Sequence, residues 1–173
     1  MRLSEHNIKS IEVLCREQWH GYWVQGGVFD FVTPTAPGVY TVPSLVIITS
    51  KYVQVAACAK DFDEHEILML SLSIEEEVGT AASERFWRPP REEVSRYPID
   101  LDLGSFLEKR IAITVLGDNS GGNLIINSIL AMHDSNQLLI AVDKEIPESI
   151  LLTTNQSYIE DFIAKKIEIG VIT

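Results

Sequence analysis

Asp61, Asp63 and His65 alternate along the chain with Glu64 between them, a dense set of metal-capable side chains. Oxygen and nitrogen donors at spacing two can clasp a divalent cation. A calcium loop, however, also needs a glycine bend and a distal bidentate Glu in register, and the stretch has neither. Ala59 to His65 is therefore expected to be a solvated hairpin loop, with no metal bound. Cys58 and His65 would meet across that hairpin in thiol chemistry, but a core cysteine beside a loop histidine is the simpler reading. His133 next to Asp134 could orient an imidazole for acid–base work, although adjacent side chains rarely face one point, and a polar turn tip accounts for both. The remaining histidines, His6 and His20, stand alone, and Cys15 and Cys58 form no Cys-x-x-Cys pair. There is no Gly-x-Ser-x-Gly elbow to expose a serine nucleophile. The glycine-rich stretch Gly117 to Asn123 follows an apolar run, yet it lacks the Lys-Ser/Thr of a phosphate loop and leads into another strand-like segment, so it is read as a hairpin turn. No catalytic residue, metal or cofactor is expected, and a non-enzyme is favoured.

The composition points to association instead. Fourteen Lys and Arg face 25 Asp and Glu, a formal net charge of −11, in a chain of 173 residues. Such a surface repels phosphate backbones and anionic headgroups, which argues against nucleic acid and membrane surfaces and in favour of a basic protein partner. The local acids that would meet it are Asp61, Asp63 and Glu64, and the run Glu75, Glu76 and Glu77. From Val78 to Asp102 the periodicity lapses, three prolines occur, and four arginines interleave with Phe86, Trp87 and Tyr97. Trp87 and Arg88 are the candidate anchors there, because buried Trp and Arg carry much of the energy of many interfaces. An immunity protein or antitoxin that blocks a basic toxin, or a small chaperone for a secreted effector, fits this description. The competing reading is a small enzyme or ligand-binding domain whose pocket is walled by the aromatic stretch Trp19 to Phe31 and by Gly117 to Asn123. A homodimer joined through an open sheet edge is compatible with both.

The elements that must position these residues can be read from periodicity. Leu68, Leu70, Leu72 and Ile74 alternate with Met69, Ser71, Ser73 and Glu75, the period-two mark of a half-buried strand. Leu45 to Thr49 and Tyr52 to Cys58 supply two more strands of a meander. Residues 4 to 18 place Ile8, Ile11, Cys15 and Trp19 at helical spacing behind Ser4, so an N-terminal helix is expected, followed by a hairpin from Tyr22 to Val32. Thr33 to Gly38, with two prolines, is expected to be a loop. Further strands are expected at Ile111 to Leu116, Leu124 to Met132, Gln137 to Val142, Ile150 to Thr153 and Ile167 to Ile172. A C-terminal helix is expected behind a Ser157/Glu160 capping box, with Lys165 and Lys166 at its end. The sum is a single α+β domain over residues 1–173, with a mostly antiparallel sheet of about eight short strands and a helix near each end. No apolar run approaches the ~18 residues of a membrane span, and the polar start lacks a signal-peptide core, so a cytoplasmic protein is expected.

Overall fold

Leu138 to Val142 is apolar at five consecutive positions, more than a strand with one wet face requires. A strand of this kind has to be covered on both sides. The computed structural model, which describes residues 8–15, 33–36, 38–42, 44–50, 53–62, 65–74, 101, 103–145 and 149–172, shows how that is done.

Among the described residues the chain forms eleven strands and one α-helix. The strands are β1 (Ile8–Cys15), β2 (Thr33–Ala36), β3 (Val39–Val42), β4 (Ser44–Ser50), β5 (Val53–Phe62), β6 (His65–Ile74), β7 (Ala112–Ser120), β8 (Asn123–His133), β9 (Asn136–Val142), β10 (Ile150–Thr153) and β11 (Ile167–Ile172). The helix α1 is Gln156–Ile163. A small sheet runs β1-β4-β5-β6 and a large one β11-β7-β8-β9-β10-β3-β2, with antiparallel pairing throughout. Ile48, Val55, Ala57 and Leu68 of the small sheet share one core with Ile113, Ile129, Leu138, Ile140, Ile150 and Leu152 of the large sheet. The intervening positions of the large sheet, Leu130, Leu139, Ala141 and Leu151, face the other way and pack with Val39 and Ile159. The result is three layers: small sheet, large sheet, helix. This is why Leu138 to Val142 are all buried. Phe106 and Ile111, around a 3-10 turn at Gly104–Phe106, complete the core between the sheets.

The α+β expectation with helices near both ends gives way to an almost all-β architecture. Residues 8–15 are a strand, hydrogen-bonded antiparallel to β4 with Ile11 opposite Ile48 and Val13 opposite Val46. Ile11, Val13 and Cys15 also alternate at period two, so the segment satisfied both templates. Pairing along the free edge of β4 decided between them, as tertiary context overrides a weak local propensity. Thr33–Ala36 is likewise a strand and not a loop, with Pro34 opposite Tyr40. It is the last strand in the order of the large sheet, a position where a proline is tolerated. The expected loop Ala59 to His65 is shorter than its composition implied: β5 runs to Phe62, which pairs with His65 at the start of β6. Ser4 and the Tyr22 to Val32 hairpin lie outside the described residues. No helix among the described residues is long and apolar enough to cross a membrane.

The N-cap of helix α1 lies two residues before the expected Ser157. Asn155 is the N-cap, extended at φ −69° and ψ 109°, and its Oδ1 accepts from the Tyr158 N–H at 3.2 Å. Ile159 is fully buried, with Tyr158, Phe162 and Ile163 beside it on the large sheet. Asn155→Ala is expected to lower stability by about 1 kcal/mol, a fall in Tm of roughly 2–4 °C for a chain of this size. Thermal melts followed by circular dichroism would show it.

Candidate functional site

Strand β7 is flanked by an irregularity on each side at the same level. Leu116 pairs with Ser128 and Gly117 with Ile126, so Asn127 is the extra residue of a bulge in β8. Glu168 pairs with Leu116 and Gly170 with Val115, which makes Ile169 the extra residue in β11. The β8 bulge lets Ile126 and Ile129 both reach the inter-sheet core, and it leaves Asn127 and Ser128 as buried polar residues in the middle of a strand. Gly117 sits between the two bulges because there is no room for a side chain: an added Cβ would overlap the Ile125 carbonyl oxygen and lie 2.5 Å from Ile169 Cδ1.

The bulges deliver a charged cluster. Asp118, the next residue of β7, accepts from Lys166 Nζ at both carboxylate oxygens, 2.8 and 3.0 Å. Its Oδ2 also accepts from Asn127 Nδ2 at 2.8 Å and from Lys144 Nζ at 3.2 Å. Asn127 Oδ1 in turn accepts from Ser128 Oγ at 3.1 Å. The two lysines differ in setting. Lys166 has a side chain only 6% exposed and lies 4.8 Å above the Phe162 ring, one helical turn back, whereas Lys144 is 68% exposed. Burial tends to raise the Asp118 pKa, but hydrogen bonds and charge from Lys166 and Lys144 outweigh it and hold the carboxyl below its usual 3.8.

A cavity of about 700 Å³ opens over this cluster, lined by His65 and Glu66 from the small sheet, Asp118, Ser120 and Asn127 from the large sheet, and Lys144 and Lys165. That volume falls in the range of small-ligand pockets. A second chamber of about 270 Å³ shares Asn127 and Lys144 and is walled by Tyr158, Phe162 and Lys166. The rings of Tyr158 and Phe162 are near-parallel, with centroids 6.4 Å apart. Burial raises the Tyr158 pKa, and the negative charges of Asp143 and Glu145 add to the shift. Asp143 itself is buried at the end of β9, where it accepts from Thr41 Oγ1 and from the Glu145 N–H.

No known protein family, characterised protein or solved structure matches this chain. Its site has to be understood from its own residues.

Of the acids named from the sequence, Asp61 lies on β5 opposite Glu66, at the sheet end that lines the larger cavity. Asp63, Glu64, Glu75, Glu76, Glu77, Trp87 and Arg88 lie outside the described residues. The other pairings considered above do not converge on the cleft. Cys58 pairs with Met69 while His65 pairs with Phe62, four positions further on, or about 13 Å at strand spacing. His133 is held at its own turn, Nδ1 2.9 Å from the Arg110 carbonyl oxygen and Nε2 3.3 Å from Asp134 Oδ2. Among the described residues no group of three or more metal-capable side chains converges.

The stretch Gly117 to Asn123 is only partly a turn. Gly121 and Gly122, with φ of 59° and 88°, form a two-residue hairpin turn, and Asn119 Oδ1 caps the Gly122 N–H at 3.1 Å. Gly117 to Ser120 is strand, and Asp118 and Ser120 face the cavity. The residues that make the cluster, Asp118, Asn127, Lys144 and Lys166, were not legible as a set. Lys166 reads as a complement to a helix end and Asp118 as a turn residue, and only the paired bulges bring them together.

Proposed function

We propose that the chain is a non-catalytic acidic binding domain of the cytoplasm that docks a basic protein partner, as an inhibitor of a basic toxin or a small chaperone of a secreted effector would. The observation that carries this reading is the net charge of −11, expressed at exposed positions spread over several elements: Glu108, Asp134, Glu145, Glu160, Asp161 and Glu168. A field of one sign accelerates encounter with an oppositely charged partner and selects against like-charged ones. The local docking acids in this reading are Asp61, Asp63, Glu64 and Glu75 to Glu77, with Trp87 and Arg88 as anchors.

The test is capture from the source cell on immobilised protein, eluted by a salt gradient. The expected result is one strongly basic protein retained at low salt, whose association rate with the purified chain falls at least tenfold between about 50 mM and 500 mM salt as screening shortens the range of the field. Charge reversal at Glu75, Glu76 and Glu77 together is expected to slow that association by a similar factor. Binding unaffected by salt and by charge reversal would sink the proposal.

A second reading, a small-molecule-binding domain, is favoured by the 700 Å³ cavity and by the position of Asp118 and Ser120 on its wall. The aromatic stretch Trp19 to Phe31, the other wall in that reading, lies outside the described residues.

A further inference from the structure

The cleft over Asp118 runs against the charge of the rest of the chain. Seven lysines occur in the sequence, and three of them, Lys144, Lys165 and Lys166, stand at this one place. In the chain as a whole acids outnumber bases 25 to 14, whereas the larger cavity is lined by two lysines, Lys144 and Lys165, against two carboxylates, Asp118 and Glu66. The lysines are not equivalent. Lys166 is buried, and its charge is matched by both oxygens of Asp118. Lys144 reaches the same carboxylate only at 3.2 Å from an exposed position. Lys165 is exposed on the cavity wall, with no ion-pair partner among the described residues.

We propose that this cleft binds a small organic anion carrying a carboxylate or phosphate group, clasped between the ammonium groups of Lys144 and Lys165. The inference rests on the second reading above and names the ligand class for it. Lys144 can leave Asp118 without stranding a charge, since Lys166 and Asn127 continue to satisfy the carboxylate. The Ser120 hydroxyl on the same wall supplies a neutral donor to an anionic oxygen. Asp118 lines the same cavity, its charge matched by the buried Lys166 side chain. Two lysines without a planar fork bind as point charges, so either acid class is accommodated, and the chemistry of the head group is the open variable.

The test is titration of the full chain with inorganic phosphate and, separately, with succinate, read by calorimetry and by side-chain and backbone amide NMR shifts. Saturable binding is expected below about 10 mM for at least one anion, with the largest shifts at Asn127 and Ser120. Stronger phosphate binding identifies a phosphorylated ligand, and stronger succinate binding a carboxylate. Lys144→Gln with Lys165→Gln is expected to weaken binding at least tenfold. Lys109→Gln with Arg110→Gln, likewise two charges removed from exposed positions away from the cavity, is expected to change it less than twofold. Equal losses in both variants would mean that the anions sense only overall charge, and the site would be refuted. Glucose serves as an uncharged probe. Should glucose shift the Asn127 amide while neither anion does, the pocket reading stands and the anion class falls. If none of the three binds, both fall.

Discussion

Gly117→Val is expected to cost about 4 kcal/mol or more, through overlap that the surrounding backbone has no means of relieving. The added side chain would strike the Ile125 carbonyl, which belongs to the β7–β8 ladder, and Ile169, which is wedged into the core at the facing bulge. The Ile125 carbonyl is held by strand pairing, so moving it breaks the β7–β8 register, and a shift of the Ile169 methyl alone does not relieve that overlap. Domains of this kind have only about 5–15 kcal/mol of stability in total, so the variant is expected to be mostly unfolded or aggregated on expression. Gly170→Ala is the control. An added Cβ at Gly170 in β11 meets nothing within 4 Å, and that glycine is not in a left-handed conformation. Its stability is expected to stay within about 1 kcal/mol of the parent, on the stabilising side because alanine narrows the unfolded ensemble. Urea unfolding of the pair measures the difference. Similar midpoints would show that the two bulges do not confine β7 as described.

Lys166→Met is expected to lower stability by about 2 kcal/mol, less than the roughly 3–5 kcal/mol for breaking a fully buried ion pair, because Asp118 remains 32% exposed and keeps Lys144 and Asn127 as partners. What is lost is a partner for Asp118 and not a filler of space, since methionine occupies a similar volume over Phe162. The second substitution follows from that: Asp118→Asn in the Lys166→Met background should recover at least half of the loss, a coupling that a purely steric role would not produce.

The acid limb gives an independent check. The Asp118 pKa lies below its unfolded value near 3.8, so its contribution is complete above that value and vanishes as pH falls through the lower folded value. The stability difference between parent and Lys166→Met is therefore expected to be full at pH 7 and to shrink below about pH 4. A difference unchanged down to pH 2 would mean that the ion pair does not stabilise the fold.

Several features of this architecture were already determined by local sequence. The alternation from Leu68 to Leu72 marks a strand with two unlike faces, and Leu68 is buried while Met69 is half-exposed. Leu72, further along the same face, is half-exposed as well. Gly121-Gly122 specifies a tight hairpin, since both positions need the left-handed conformation that glycine adopts without strain. The net charge of −11 is a property of composition alone, and no fold could alter it.

Other features depended on which surfaces met. Residues 8–15 carry both periodicities, and the free edge of β4 selected the strand. Leu138 to Val142 show by their composition that both faces are covered, but not that a sheet lies on one side and a helix on the other. The cleft was the least legible part. Asp118, Asn127, Lys144 and Lys166 are separated by 9 to 48 positions, and none has a distinctive neighbour. They converge because an extra residue in β8 and another in β11 shift register beside the same glycine. A bulge is invisible in one sequence, since it is decided by how two strands pair.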